Sequence, residues 1–205
     1  YNYALTASNT AGSASASFSG ALTITDSVSS SSSSALIYFE NGICKCPNAS
    51  VGDTATISGT VYTVVNNSTI AAQIANNNVN LCTTKVTDMK DMFNGQNSFN
   101  SDISFWDTSN VTDMSSMFRA TAFNQNIANW DVSKVTNMWN MFRDSPFNAN
   151  ISSWDVSSVT NMGFMFMMVN RNQANAFNQD ISNWDTSNVT NMGAMSVSYT
   201  HLTLP

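Results

Sequence analysis

Charge is scarce in this chain of 205 residues: 10% of positions are Asp, Glu, Lys or Arg, and 7 basic against 13 acidic side chains leave a net charge of −6. An ordinary soluble domain carries roughly 25%. No cluster of Lys or Arg occurs, which excludes the phosphate neutralisation that a nucleic-acid partner needs. A single histidine and three cysteines leave little material for a metal centre or a nucleophilic triad. Enzymatic activity is therefore not expected, and neither is a cofactor or a bound metal. No apolar run approaches the roughly 18 residues of a membrane span. The first residue is Tyr1, with no charged segment leading into an apolar one, so no signal peptide is legible here.

What abounds is small and uncharged: 31 Ser, 21 Thr and 29 Asn, with 12 Met and 12 Phe beside them. Low lysine and this Asn/Ser/Thr wealth suit an extracellular or cell-surface chain. Sequons at Asn48, Asn66, Asn67, Asn110, Asn150 and Asn188 arise by chance in such a composition and carry little weight.

Composition divides the chain into zones. Residues 1–25 alternate apolar and polar positions on both sides of Asn9-Thr10-Ala11-Gly12, the pattern of a β-hairpin. Residues 26–35 form a Ser-rich linker, with Ser29 to Ser34 consecutive. Residues 36–85 hold Cys44, Cys46 and Cys82 and predict two short strands around Gly59. A short helix over Thr69–Ala75 follows, with Ser68 as its N-cap and Asn76 to Asn78 ending it.

From Val86 onward the chain repeats. Val-Thr-[Asp/Asn]-Met begins at Val86, Val111, Val135, Val159 and Val189. The unit is 24 residues, with insertions of one and six falling between the Met-Phe pair and the next Phe. Every second Phe stands 7 residues before a Trp, and every such Trp 5 before a Val. Ten of the twelve Met and four of the five Trp occupy fixed columns of this unit. A period of 20–50 residues marks a stacked repeat array. Residues 196–205, SVSYTHLTLP, break the pattern where an aromatic is due. They read as translated adapter sequence, a non-native tail, against the alternative of a divergent C-terminus, and His201 is given no role.

The motif Val111-Thr-Asp-Met-Ser-Ser-Met-Phe118, then Ala122-Phe-Asn-Gln-Asn-Ile127, then Trp130-Asp-Val-Ser133 resembles the repeats of BspA-like bacterial surface proteins and of related Mycoplasma surface lipoproteins. The likeness covers residues 86–195, and it implies a cell-surface, leucine-rich-repeat-like solenoid with adhesive or interaction roles. The alternation at Tyr1-x-Tyr3-x-Leu5 likewise resembles the last two strands of bacterial immunoglobulin-like modules, so residues 1–25 are expected to be a truncated piece of one.

The expected fold is accordingly an α/β repeat solenoid of about 4.5 units over 86–195. Met at the fourth and seventh positions with Phe at the eighth has helical spacing. The segment from Asn to Trp-Asp in each unit is strand-capable and is expected to pair in parallel with its copies. Val, Met, Phe, Ile and Trp columns face the interior. Residues 36–85 cap the open first coil, and one of Cys44 and Cys46 pairs with Cys82, leaving the other over.

The Asp column after Trp (Asp107, Asp131, Asp155, Asp185) allows two readings: a row of calcium ligands, or Asx turns accepting from Ser109, Ser133, Ser157 and Ser187. The Asx turn is preferred, since no glycine-rich calcium repeat is present. The Asn column (Asn100, Asn124, Asn148, Asn178) reads as structural stacking, the Trp column as core rather than a sugar platform, and the Met columns as core rather than copper ligands. The Thr column and its neighbours form the candidate binding face: Thr112, Asp113, Thr136, Asn137, Thr160 and Asn161. Its partner would be a cell-surface protein or glycan. The expected function is non-enzymatic adhesion or recognition. The alternative is an accessory module of a secreted polysaccharide-active enzyme.

Overall fold

The computed structural model describes residues 4–9, 12–17, 36–169 and 176–195. The Ser-rich linker over 26–35, the tail over 196–205 and His201 lie outside the described residues. The chain divides into two units, Tyr1–Ser34 and Ala35–Pro205. In the first, β1 (Ala4–Asn9) and β2 (Gly12–Ser17) pair antiparallel with Asn9 opposite Gly12.

The second unit opens with a hairpin of β3 (Tyr38–Glu40) and β4 (Ile43–Lys45). Its turn residues Asn41 and Gly42 both take positive φ, 51° and 83°, the handedness that lets a two-residue turn follow the strand twist. A three-stranded sheet follows, ordered β5 (Thr54–Ile57), β6 (Thr60–Asn66), β7 (Leu81–Lys85). β5 and β6 are antiparallel, whereas β6 and β7 are parallel. That parallel pair needs a crossover, and α1 (Ile70–Ala75) supplies it. The N-cap of α1 is Thr69, not Ser68 as the sequence suggested, and its side chain makes no capping bond. Ser68 is drawn instead onto Asn66 Oδ1, at 2.8 Å from its hydroxyl.

The expectation of an α/β, leucine-rich-repeat-like solenoid is overturned. Among the described residues, strands are confined to small sheets before residue 86, and α1, the one described helix, precedes the repeat. The Met-x-x-Met segment is not helical, because its third position takes positive φ in every unit: Asp91, Ser116, Asn140, Phe164 and Ala194 lie between 50° and 59°. Its amides do not point down a helix axis. Alternate N–H groups cross to the following unit, Met114 to Asn137 O, Ser116 to Trp139 O, Phe118 to Met141 O and Ala120 to Arg143 O, at 2.8–3.0 Å. The amides between them close local turns, as Met117 N–H does on Met114 O and Arg119 N–H on Ser116 O. The Asn-to-Trp segment is also no strand. It turns through Asn126 Oδ1, which accepts from Ala128 N–H, and through Trp130 N–H on Ile127 O. Among the described residues of the repeat, sheet-like pairing survives only as single parallel bridges joining Asp88, Asp113, Asn137, Asn161 and Asn191 in succession.

Stacking of identical side chains builds the core. Within a unit the two Phe rings lie face to face, Phe118 on Phe123 and Phe142 on Phe147 at 3.9 Å. Between units Phe118 meets Phe142 at 5.6 Å and Phe142 meets Phe166 at 5.7 Å. Each buried ring of this kind contributes about 2–3 kcal/mol by removal from water. Each column Trp also donates its indole N–H to the unit before it: Trp130 to Ile103 O, Trp154 to Ile127 O, Trp184 to Ile151 O, at 3.1–3.3 Å. The cap imitates a unit at this point. Trp106 donates to Val79 O at 2.9 Å, and Val79 stands one period before Ile103.

Candidate functional site

The six residues of the expected binding face come together. Asp113, Asn137 and Asn161 share the bridge ladder, and Thr112, Thr136 and Thr160 stand exposed beside them. The sequence places them at the end of the Trp-to-Val turn, where Val and Met on either side are buried and force Thr outward. Each Thr is tied to the unit before it: Thr136 donates N–H and hydroxyl to Thr112 O at 2.9 and 3.2 Å, and Thr160 does the same to Thr136 O. The amide column is cross-linked as well. Asn137 Nδ2 donates to Asp113 Oδ2, and Asn191 Nδ2 to Asn161 Oδ1, both at 3.0 Å. The face is thus a fixed array whose outer lone pairs and unused amide hydrogens point to solvent. It can accept and donate hydrogen bonds.

The aspartates after Trp form Asx turns. Asp131 Oδ1 accepts the Ser133 N–H and hydroxyl at 3.0 and 2.6 Å, and Asp155 accepts both from Ser157. The serine bonds hold the carboxyls of Asp155 and Asp185 below the usual value. Asp107, the first of the column, is different. Burial pushes its carboxyl up, yet hydrogen bonds from Lys45, Ser109 and Thr84 outweigh burial and hold it below the ordinary value. Lys45 Nζ lies 2.9 Å from Oδ1 and the Thr84 hydroxyl 2.7 Å from Oδ2, so this carboxylate pins the cap to the first unit. Among the described residues, no group of three or more His, Cys, Asp or Glu side chains gathers as a metal site.

Asn124 N–H reaches Asn100 Oδ1 at 2.9 Å and Asn148 N–H reaches Asn124 Oδ1 at 2.8 Å, so the Asn column ties neighbouring units. Cys46 is bonded to Cys82, closing a sequence separation of 36 residues. Cys44 is a free thiol, fully buried. Burial, and then the negative charge of Asp107, push its pKa up to about 12, so the thiol stays protonated at neutral pH. A groove of about 350 Å³ runs between α1 and the first unit, with Ile70 and Ile74 on one side and Asp88, Asp91 and Met92 on the other. No helix among the described residues is long and apolar enough to cross a membrane.

Three residues escaped the sequence reading. Trp139 is the one Trp outside the 24-residue register, and it is 39% exposed, with Phe164 against it at 6.4 Å. Arg119 and Arg143 stand one period apart, on adjacent rungs joined by Ala120 N–H to Arg143 O at 2.8 Å. The signal was available: these are variable positions of an otherwise uniform unit, where packing does not dictate the residue.

A family model described as Mycoplasma protein of unknown function, DUF285, matches residues 62–171 and again 143–204. The chain therefore belongs to this repeat family. The match begins at Tyr62, one period before Val86, where the cap starts to imitate a unit. No curated protein and no solved structure matches the chain.

Proposed function

We propose that this chain is a non-catalytic recognition module exposed outside the cell, binding a glycan or protein partner through the Thr and Asp/Asn ladders. The observation that carries the reading is the register of Asp113, Asn137 and Asn161 in one parallel ladder, with exposed Thr112, Thr136 and Thr160 alongside. A rigid row of identical polar groups suits a partner that is itself repetitive. An outside location is favoured by the Cys46–Cys82 disulfide, which persists in oxidising compartments. The likeness to BspA-like and Mycoplasma surface repeats, and of the β1–β2 hairpin to an immunoglobulin-like edge, points the same way.

The test is a glycan array and a panel of extracellular matrix proteins, probed with the full chain and with Thr136→Val and Asn137→Ala variants. Binding lost in the variants supports the reading, and a blank panel or binding indifferent to both changes overturns it. Turnover of any substrate in a broad hydrolase panel would overturn the non-catalytic part.

A further inference from the structure

Three buried polar atoms among the described residues have no hydrogen-bond partner: Arg119 Nε, Asn140 Oδ1 and Arg143 Nε. All three belong to the turn segments of two consecutive units. Arg143 N–H donates to Asn140 O at 3.1 Å, Arg119 N–H to Ser116 O at 3.2 Å, and Ser116 N–H to Trp139 O at 2.8 Å. These bonds place the residues on neighbouring rungs, about 4.8 Å apart by strand spacing.

The turns have a period of four. Positive φ falls at Ser116 and Ala120 in one unit and at Asn140 and Asp144 in the next. Ser115, Arg119, Trp139 and Arg143 each directly precede such a residue, so they occupy equivalent positions of the turns. Trp139 is exposed at one of them, four residues before Arg143, and Phe164 crosses its ring at 85°.

The charge there is under-compensated. Lys45, Lys85 and Lys134 each reach an oxygen acceptor, on Asp107, Pro47 and Asn110. Arg119 reaches none, and Arg143 has only Asp144, 3.5 Å from its Nε and without a hydrogen bond. One Asp144 oxygen is already taken by Val169 N–H at 2.7 Å. Arg143 thus has one carboxylate beside it and Arg119 none, in a chain of net charge −6. Their buried halves have given up water with no acceptor in return, which leaves their outer edges to recover the loss from an oxyanion.

We infer that Arg119, Arg143 and Trp139 form a binding site for an acidic saccharide, its carboxylate or sulfate on the two guanidiniums and a sugar face on the indole. Trp139 supports a sugar over a free anion: its exposed indole, set against Phe164, offers an apolar face to a sugar ring and nothing to an inorganic oxyanion. This inference rests on the recognition reading and names the ligand class within it.

The test is calorimetric titration of the full chain with a trigalacturonate, a heparin-type hexasaccharide, inorganic sulfate and a neutral trisaccharide. Expected is one site per chain for an acidic oligosaccharide. Sulfate alone and the neutral sugar should bind at least about tenfold more weakly, as should the acidic probe to Arg119→Gln or Arg143→Gln. Trp139→Ala weakens binding without changing its salt dependence, whereas the arginine changes flatten it. Thermal melting checks that each variant is folded. No binding by either acidic probe overturns the inference, as does unchanged binding in the Arg119→Gln/Arg143→Gln pair. Sulfate bound as tightly as the oligosaccharides overturns the saccharide assignment. Partner binding that is lost in Thr136→Val but kept in the arginine pair removes this inference and leaves the wider reading standing.

Discussion

Asn67 Oδ1 accepts the backbone N–H of Thr87 at 2.8 Å, and with it that of Asp88 at 3.3 Å. These are the two bonds that Thr136 O accepts from Thr160 and Asn161, at 2.9 and 3.3 Å. A side-chain amide thus stands in for the carbonyl of a unit that is not there, and Asn67 Nδ2 returns a bond to the Thr87 hydroxyl at 2.8 Å. The first rung of the ladder begins satisfied.

Replacing Asn67 with Leu should free both amides to solvent at a cost of about 1–2 kcal/mol. Hydrogen exchange checks it: Thr87 and Asp88 amides should exchange faster while those of Thr160 and Asn161 hold. Equal protection in the variant would show that Asn67 is not the cap.

The pin between cap and first unit is acid-sensitive. The Asp107 carboxyl sits below its ordinary value of 3.8 when folded, so its stabilisation is complete above that value and fades as the pH falls through the lower folded value. Asp107→Ala removes the partner of Lys45 and Thr84 together and should cost on the order of 3 kcal/mol near neutrality. The penalty should shrink in acid. Urea melts of both proteins across pH 2–7, about the range where carboxylates titrate, read this directly, and a penalty independent of pH would show that the charge is immaterial.

The cysteines should behave oppositely. Reduction, or Cys82→Ser, opens a 36-residue separation and should cost about 3–4 kcal/mol, lowering the melting temperature. Cys44, with a pKa near 12, is thiolate to about one part in ten thousand at pH 8. It should resist an aromatic disulfide reagent in the native protein and react at once in denaturant. Rapid native labelling would place Cys44 at the surface.

Phe142 lies between Phe118 and Phe166 with Phe147 on its own level. Phe142→Ala empties that space and should cost about 3–5 kcal/mol. Trp139→Ala, at the surface, should cost under about 1 kcal/mol. Denaturant midpoints compare the two, and similar losses would mean that Trp139 is part of the core.

The repeat was legible because stacking forces it. A residue that must lie on its own copy has to recur, so Phe118, Phe142 and Phe166 appear 24 apart in the chain and as stacked rings in space. The Asx turn at Asp131 was equally readable, since Asp and Ser two residues apart make that bond locally. The conformation of the Met segment was not. Met138, Met141 and Phe142 fit helical spacing, but they fit a four-residue turn as well, and side-chain spacing alone does not separate the two. What separates them is the destination of alternate amides, and that lies in the next unit.

By itself, the sequence determined the period and the buried columns, because each follows from residue type and spacing. Only the tertiary structure decided that the units are turns rather than helix and strand, since neighbouring copies take the hydrogen bonds that a helix would keep. It also chose Cys46 over Cys44 as the partner of Cys82. Constancy along the chain marks what packs inside, whereas the placing of Arg119 and Arg143 on adjacent rungs emerges only once the stack sets neighbouring units side by side.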